Sequence, residues 1–80
     1  MNIIDALSSL QLAGHESVTH SSGLTGWSID NLKDSISEAI AEDRLEDTSD
    51  KGDWVVDGNG IEQLDNNGYR TGNRYNVNAA

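Results

Sequence analysis

Four carboxylates, Asp30, Asp34, Glu38 and Glu42, follow one another at four-residue steps within WSIDNLKDSISEAIAEDRL, the stretch from Trp27 to Leu45. At about 1.5 Å rise per residue they climb one helix face in steps of roughly 6 Å. Carboxylates so arrayed recognise positive charge. Like charges at this spacing also repel, by a few tenths of a kcal/mol per pair. The ridge is therefore the strongest functional signal in the chain, although acidity of this kind also serves solubility.

The other chemistry-bearing stretch is YRTGNRY, which interleaves Tyr69 and Tyr75 with Arg70 and Arg74 and contains no acid. Such a pattern could clamp a phosphate or stack on bases, with Lys51 as a further cation. The charge is split along the chain: residues 1–65 hold 14 acids and 3 bases, residues 66–80 only 2 bases. Two arginines do not easily offset that excess, and the simpler reading is that they pair with acids of the body.

The motifs of catalysis are missing. The chain has no cysteine, no nucleophile-elbow serine, no H-E-x-x-H and no phosphate-binding glycine loop. No catalytic residue and no cofactor are assigned, and the chain does not read as an enzyme. A calcium loop starting at Asp57 finds Asn59 at its third position, but Ile61, Glu62 and Gly68 then occupy positions five, six and twelve. That rejects an EF-hand. His15 and His20 lie five residues apart with Glu16 between them; that spacing does not put two ligands on one helix face. They read as surface histidines, and no metal site is assigned.

Fourteen acids face five bases among 80 residues, a net charge of −9. Such a surface repels nucleic acid and anionic membranes and suits a basic partner, such as a protein that itself binds nucleic acid. No apolar run approaches the ~20 residues that span a bilayer, and no secretory signal opens the chain, so the expected location is the cytoplasm. A chain this short buries only about 60% of its unfolded surface, and dimerisation through residues 2–13 would relieve the small core.

Five segments must position these groups. Asn2 to Ala13 is a first helix with Ile3, Ile4, Leu7, Leu10 and Leu12 on its apolar face, Asn2 as cap and Gly14 as stop. Its apolar face serves the core or a dimer contact. HESVTHSSGLTG, His15 to Gly26, is poor in helix formers. It suits a short strand around Val18 and one turn near Ser21 to Leu24. The central helix follows, capped by Ser28, with Ile29, Leu32, Ile36, Ile40 and, at the far end, Leu45 on one apolar stripe, Ala39 beside Ile40, and an end near Asp43 to Leu45. Leu45 to Thr48 and Trp54 to Val56 flank a Ser49–Gly52 turn as a hairpin, and Trp54-Val55-Val56 is the best strand candidate. DGNG (57–60) and Asn66-Asn67-Gly68 are further turns. Ile61 to Asp65 fits a short helix or a strand. The expected organisation is one small α+β domain over residues 1–75 with a frayed tail at 76–80.

The order helix, polar segment, long helix, hairpin resembles a winged-helix domain. Asn2 to Ala13 stands as its first helix, Trp27 to Asp43 as its recognition-type helix, and Leu45 to Val56 with the SDKG turn as strand–wing–strand. AEDRLED is similar to the end of that helix and the entry to the wing, and VVDGNGIEQLDNNGY to the strand and helix that follow. The resemblance implies a small winged-helix-like domain with two main helices and a hairpin wing; the alternative is a two-helix, three-stranded antiparallel α+β fold. The chain departs from that pattern at VTHSSGLTG, a poor second helix. It departs again at Asp30, Asp34 and Glu38, where a DNA reader presents Arg, Lys, Asn or Gln. An acidic recognition face should bind protein. In size and charge the chain is similar to phage-encoded inhibitors of host defence, including anti-CRISPR and anti-restriction proteins. The leading expectation is an acidic module, a DNA mimic in kind, that blocks the basic nucleic-acid-binding surface of a partner through Asp30, Asp34, Glu38 and Glu42. The alternative is a dimeric winged-helix regulator contacting DNA through Lys51, Arg70, Arg74 and Tyr75.

Overall fold

The computed structural model describes residues 1–23, 26–43 and 52–78. In chain order they form helix α1 (Ile3–Leu12), strands β1 (Ser17–His20) and β2 (Trp27–Ser28), helix α2 (Ile29–Ala41), and strands β3 (Trp54–Asp57), β4 (Gly60–Leu64) and β5 (Arg70–Val77).

Both helices start where a polar side chain replaces the missing backbone partner. Asn2 Oδ1 accepts the Asp5 N–H at 2.9 Å, and Ser28 Oγ accepts the Asn31 N–H at a longer 3.4 Å. Helix α1 stops in a Schellman turn: Gly14 takes φ 97°, its N–H reaches the Gln11 carbonyl, and the His15 N–H reaches that of Leu10. Helix α2 stops at Ala41, short of the expected Asp43 to Leu45. Asp43 fills the left-handed position there (φ 58°) and donates its N–H to the Ile40 carbonyl. Asp is one of the few side chains to tolerate that conformation.

The strands form one antiparallel sheet in the order β2-β1-β5-β4-β3. Side chains alternate between its faces. One face, with Val18, Trp54, Ile61 and Tyr75, packs on Ile3, Ala6, Leu7 and Leu10 of α1 and on Ile29, Leu32 and Ile36 of α2. Tyr75 and Trp54 lie ring against ring at 5.8 Å. Among the described residues no helix lies on the other face. Two main helices and an antiparallel hairpin region thus give the winged-helix-like α+β arrangement expected, with the β part enlarged to five strands.

Several local expectations are revised. Trp27 and Ser28 precede the helix as β2, paired with Val18 and Ser17. Ile40 is 46% exposed and Leu12 90% exposed. Buried positions on α2 step through 29, 32, 36 and 39, so Ala39 rather than Ile40 meets the core. The α1 face expected to serve core or dimer is taken up by the core. Other expectations hold: residues 17–20 are the short strand expected around Val18, and of the two readings open for Ile61 to Asp65 the structure takes the strand, hydrogen-bonded to both β3 and β5. Asn76 and Val77, expected in a frayed tail, belong to β5 and pair with β1, and residues 79–80 lie outside the described residues. In the expected hairpin, Leu45 to Thr48 and most of the SDKG turn lie outside the described residues; its second arm is β3. Between β3 and β4, Gly60 takes φ 151° directly under β5, where a Cβ would overlap the Tyr75 carbonyl oxygen. Among the described residues no helix is long and apolar enough to cross a membrane.

Candidate functional site

The acidic ridge is built as its spacing requires. Asp30, Asp34 and Glu38 lie on α2, Glu42 is its C-cap, and all four are exposed. Burial of Ile29, Leu32 and Ile36 turns this opposite side outward. Asp30 is steadied from α1: Gln11 Nε2 donates to its Oδ1 at 2.6 Å, and Lys33 Nζ donates to Gln11 Oε1 at 2.9 Å. Lys33, a cation of this same helix, is thereby drawn toward α1.

The arginines sit elsewhere, on the helix-free face of the sheet. Arg70 Nη1 donates to Asp57 Oδ2 at 2.8 Å and to Glu62 Oε1 at 2.9 Å. Arg74 reaches the same two acids, through Nη1 to Glu62 Oε1 at 3.0 Å and through Nη1 and Nη2 to both oxygens of Asp57 at 3.1 Å. Arg74 Nε also donates to Asn76 Oδ1 at 2.6 Å.

A bulge makes this convergence possible. Two residues four apart on a regular strand are separated by about 13 Å. Here Glu62 pairs with Arg74 while Leu64 pairs with Arg70, so three residues of β5 stand opposite the single residue Gln63. Gly72 takes φ 85° within the bulge and turns its N–H onto Glu62 Oε2 at 3.0 Å. Glu62 is left only 6% exposed although no helix of the described residues covers it. The guanidinium of Arg74, followed by that of Arg70, holds the Asp57 carboxyl far below the usual carboxylate range. The Arg70 guanidinium and the Gly72 N–H lower that of Glu62 against the opposing effect of burial. In return Asp57 and Glu62 raise the pKa of Arg70.

The residues proposed for nucleic-acid contact are therefore not presented together. Arg70 and Arg74 are held by acids of the body. Tyr75 is 7% exposed in the core, where it cannot stack on a base. Tyr69, at the mouth of β5, is exposed. Lys51 lies outside the described residues. His20 is half-buried rather than a plain surface histidine. Its ring meets Tyr75 edge-on at 4.9 Å, its Nδ1 accepts the Ser22 N–H at 3.1 Å, and its Nε2 faces Asn73 Oδ1. His15 and Glu16 border two shallow grooves at the C-terminal end of α1. Among the described residues no group of three His, Cys, Asp or Glu could hold a metal ion.

Sequence reasoning did not find the Asp57–Glu62–Arg70–Arg74 cluster as a unit. The available signal was the charge split between body and tail; the bulge that brings the four side chains together has only Gly72 as its mark. Comparison of the chain with protein-family models, with curated proteins and with solved structures gave no match.

Proposed function

We propose that the protein is a non-catalytic, acidic interaction module of the cytoplasm. Its α2 ridge docks on the basic surface with which a partner binds nucleic acid and so blocks that surface. The observation that carries this reading is the partition of charge. Asp30, Asp34, Glu38 and Glu42 stand exposed along one helix, whereas Arg70 and Arg74 are neutralised within the sheet.

Helix geometry bounds the mimicry. The ridge offers one carboxylate per roughly 6 Å of helix axis, against one phosphate per about 1.7 Å of duplex. It is thus about a quarter as dense in charge as the duplex it would displace. Docking must draw on the fixed shape of the helix as well as on charge, and it suits a short basic groove rather than a long channel. An inhibitor of the phage anti-defence kind would have such a target. DNA binding through the tail would instead require Arg70 and Arg74 to leave Asp57 and Glu62.

The test is capture from a nuclease-treated lysate of the source cells by the tagged protein, followed by a competition assay. The expected result is a basic protein that elutes with salt, is retained after nuclease, and loses its hold on DNA when this protein is added. The double variant Asp34→Lys, Glu38→Lys should fold and lose that effect. Undiminished inhibition by that variant refutes the assignment to the ridge. Recovery of DNA itself would favour a regulator.

A further inference from the structure

The chain contains two Asn-Gly steps, Asn59-Gly60 and Asn67-Gly68, both in turns between strands. Asn-Gly is the sequence in which an asparagine side chain is most open to attack by the next backbone nitrogen, because glycine adds no Cβ to obstruct it. The nitrogen forms a bond to the Asn Cγ, the Cγ–amide bond breaks, and ammonia leaves. Water then opens the resulting five-membered imide to aspartate or isoaspartate. No oxidant, metal or enzyme is required.

Both asparagine N–H groups donate to the Oδ1 of an aspartate two residues earlier, at 2.8 Å, but the two glycines sit in opposite surroundings. At the first, the Asn59 N–H donates to Asp57 Oδ1 at 2.8 Å and its carbonyl accepts the Val77 N–H at 2.8 Å. Gly60 is buried, paired with Asp57 on one side and Asn76 on the other, and packed against the backbone of Tyr75. Bringing the Gly60 nitrogen onto the Asn59 side chain means parting β4 from β5 in the middle of the sheet.

At the second, Asn66, Asn67 and Gly68 form an exposed three-residue loop. The Gly68 N–H donates to the Asp65 carbonyl at 3.0 Å, the Asn67 and Tyr69 N–H groups donate to Asp65 Oδ1 at 2.8 and 2.9 Å, Gly68 takes φ 83°, and the Asp65 N–H closes the loop on the Tyr69 carbonyl at 2.8 Å. This is a type I turn followed by a left-handed glycine. Nothing lies within 4 Å of the position a Gly68 Cβ would occupy. Breaking the Gly68 hydrogen bond opens the loop tip and leaves the sheet intact, and such local opening needs far less free energy than global unfolding.

We infer that Asn67 is a site of spontaneous deamidation in the folded protein, and that the sheet protects Asn59. The product carries a new carboxylate two residues from Asp65 and three from Arg70. In its isoaspartyl form the backbone also gains a methylene inside the loop that connects β4 to β5. The inference rests on the turn geometry and is independent of the role given to α2.

The experiment ages the intact protein in heavy-oxygen water at mildly alkaline pH, with and without denaturant, and maps the incorporated oxygen by peptide mass spectrometry. In the native protein Asn67 should convert on the order of tenfold or more faster than Asn59, the gap reflecting local against global opening. In denaturant the two rates should come together. Asn67→Ser should remove the fast event and leave Asn59 protected. Conversion of Asn59 at a rate equal to or above that of Asn67 in native buffer overturns the inference. So does a native protein in which neither residue converts while both convert when unfolded.

Discussion

Glu62→Gln tests whether the charge cluster on the open sheet face holds β4 and β5 together. Glu62 accepts from Arg70, Arg74 and the Gly72 N–H, all within 3.0 Å. The amide keeps the shape and one acceptor oxygen: placed at Oε1 it can still accept from both arginines but without the negative charge, and its NH2 then faces the Gly72 N–H. Arg70 is half exposed, and water replaces most of its contact. Arg74 is only 20% exposed and Glu62 9% exposed at their side chains, so their charge-assisted bond carries the larger part. With hydrogen bonds to charged groups contributing about 1.5–3 kcal/mol, the variant should lose about 2–3 kcal/mol. A domain of this size has roughly 4–12 kcal/mol in all, and each kcal/mol moves its Tm by about 4–8 °C. Urea unfolding followed by the fluorescence of buried Trp54 reads the difference. The pH dependence supplies an internal control. Glu62 and Asp57 have lowered pKa values in the fold, so their contribution is complete above the unfolded-chain values of about 4 and is lost as pH falls through the folded ones. The gap between wild type and Glu62→Gln should therefore be full at neutral pH and narrow in acid. A loss under about 0.5 kcal/mol, the usual range for surface substitutions, or a gap that does not change with pH, would refute this account of the cluster.

Three further outcomes follow from the packing and the caps. Leu7→Ala, at a wholly buried position, should cost about 2–5 kcal/mol, whereas Leu12→Ala, 90% exposed on the same helix, should stay within about 0.5 kcal/mol in the same urea assay. Gly60→Ala should prevent the native sheet from forming, while Gly68→Ala, in open space but left-handed, should cost only about 1–2 kcal/mol; circular dichroism and thermal melting separate the two. Ser28→Ala should lower stability by about 0.5–1 kcal/mol, the weak end for an N-cap because its bond to Asn31 is long, and thermal melting checks this.

The helices were legible because their information is local. Ile3, Leu7 and Leu10, and Ile29, Leu32 and Ile36, recur at helical steps, and Asn2 and Ser28 stand where the chain needs a cap. Ile40 misled because the buried stripe advances by three residues after Ile36, and the helix ends one residue beyond Ile40. The sheet was harder to read. IEQLD is too short to separate period two from period 3.6, and RTGNRYNV alternates no apolar residues beyond Tyr75 and Val77. That segment becomes a central strand through partners distant in sequence: Val18, Thr19 and His20 on one side, Gly60, Ile61 and Glu62 on the other. The exposed carboxylates of α2 could be read from spacing alone. The pairing of Arg70 and Arg74 with Asp57 and Glu62 depends on a bulge that no spacing rule anticipates.

That pairing gives the molecule two electrostatic faces. Alternation along β3, β4 and β5 sends Trp54, Ile61 and Tyr75 toward the helices and Asp57, Glu62 and Arg74 to the opposite side. Two arginines against two acids make that cluster neutral. Helix α2 lies on the other side of the sheet and carries Asp30, Asp34 and Glu38 outward. The arginines stand across a domain 23 Å through its shortest axis, more than twice the length over which salt screens exposed charges. Pinned between carboxylates, they cancel locally within the length over which salt screens exposed charges, about 10 Å at 0.1 M. Among the described residues, the α2 carboxylates Asp30, Asp34 and Glu38 thus form an exposed acidic patch on the helical side, separate from the paired arginines.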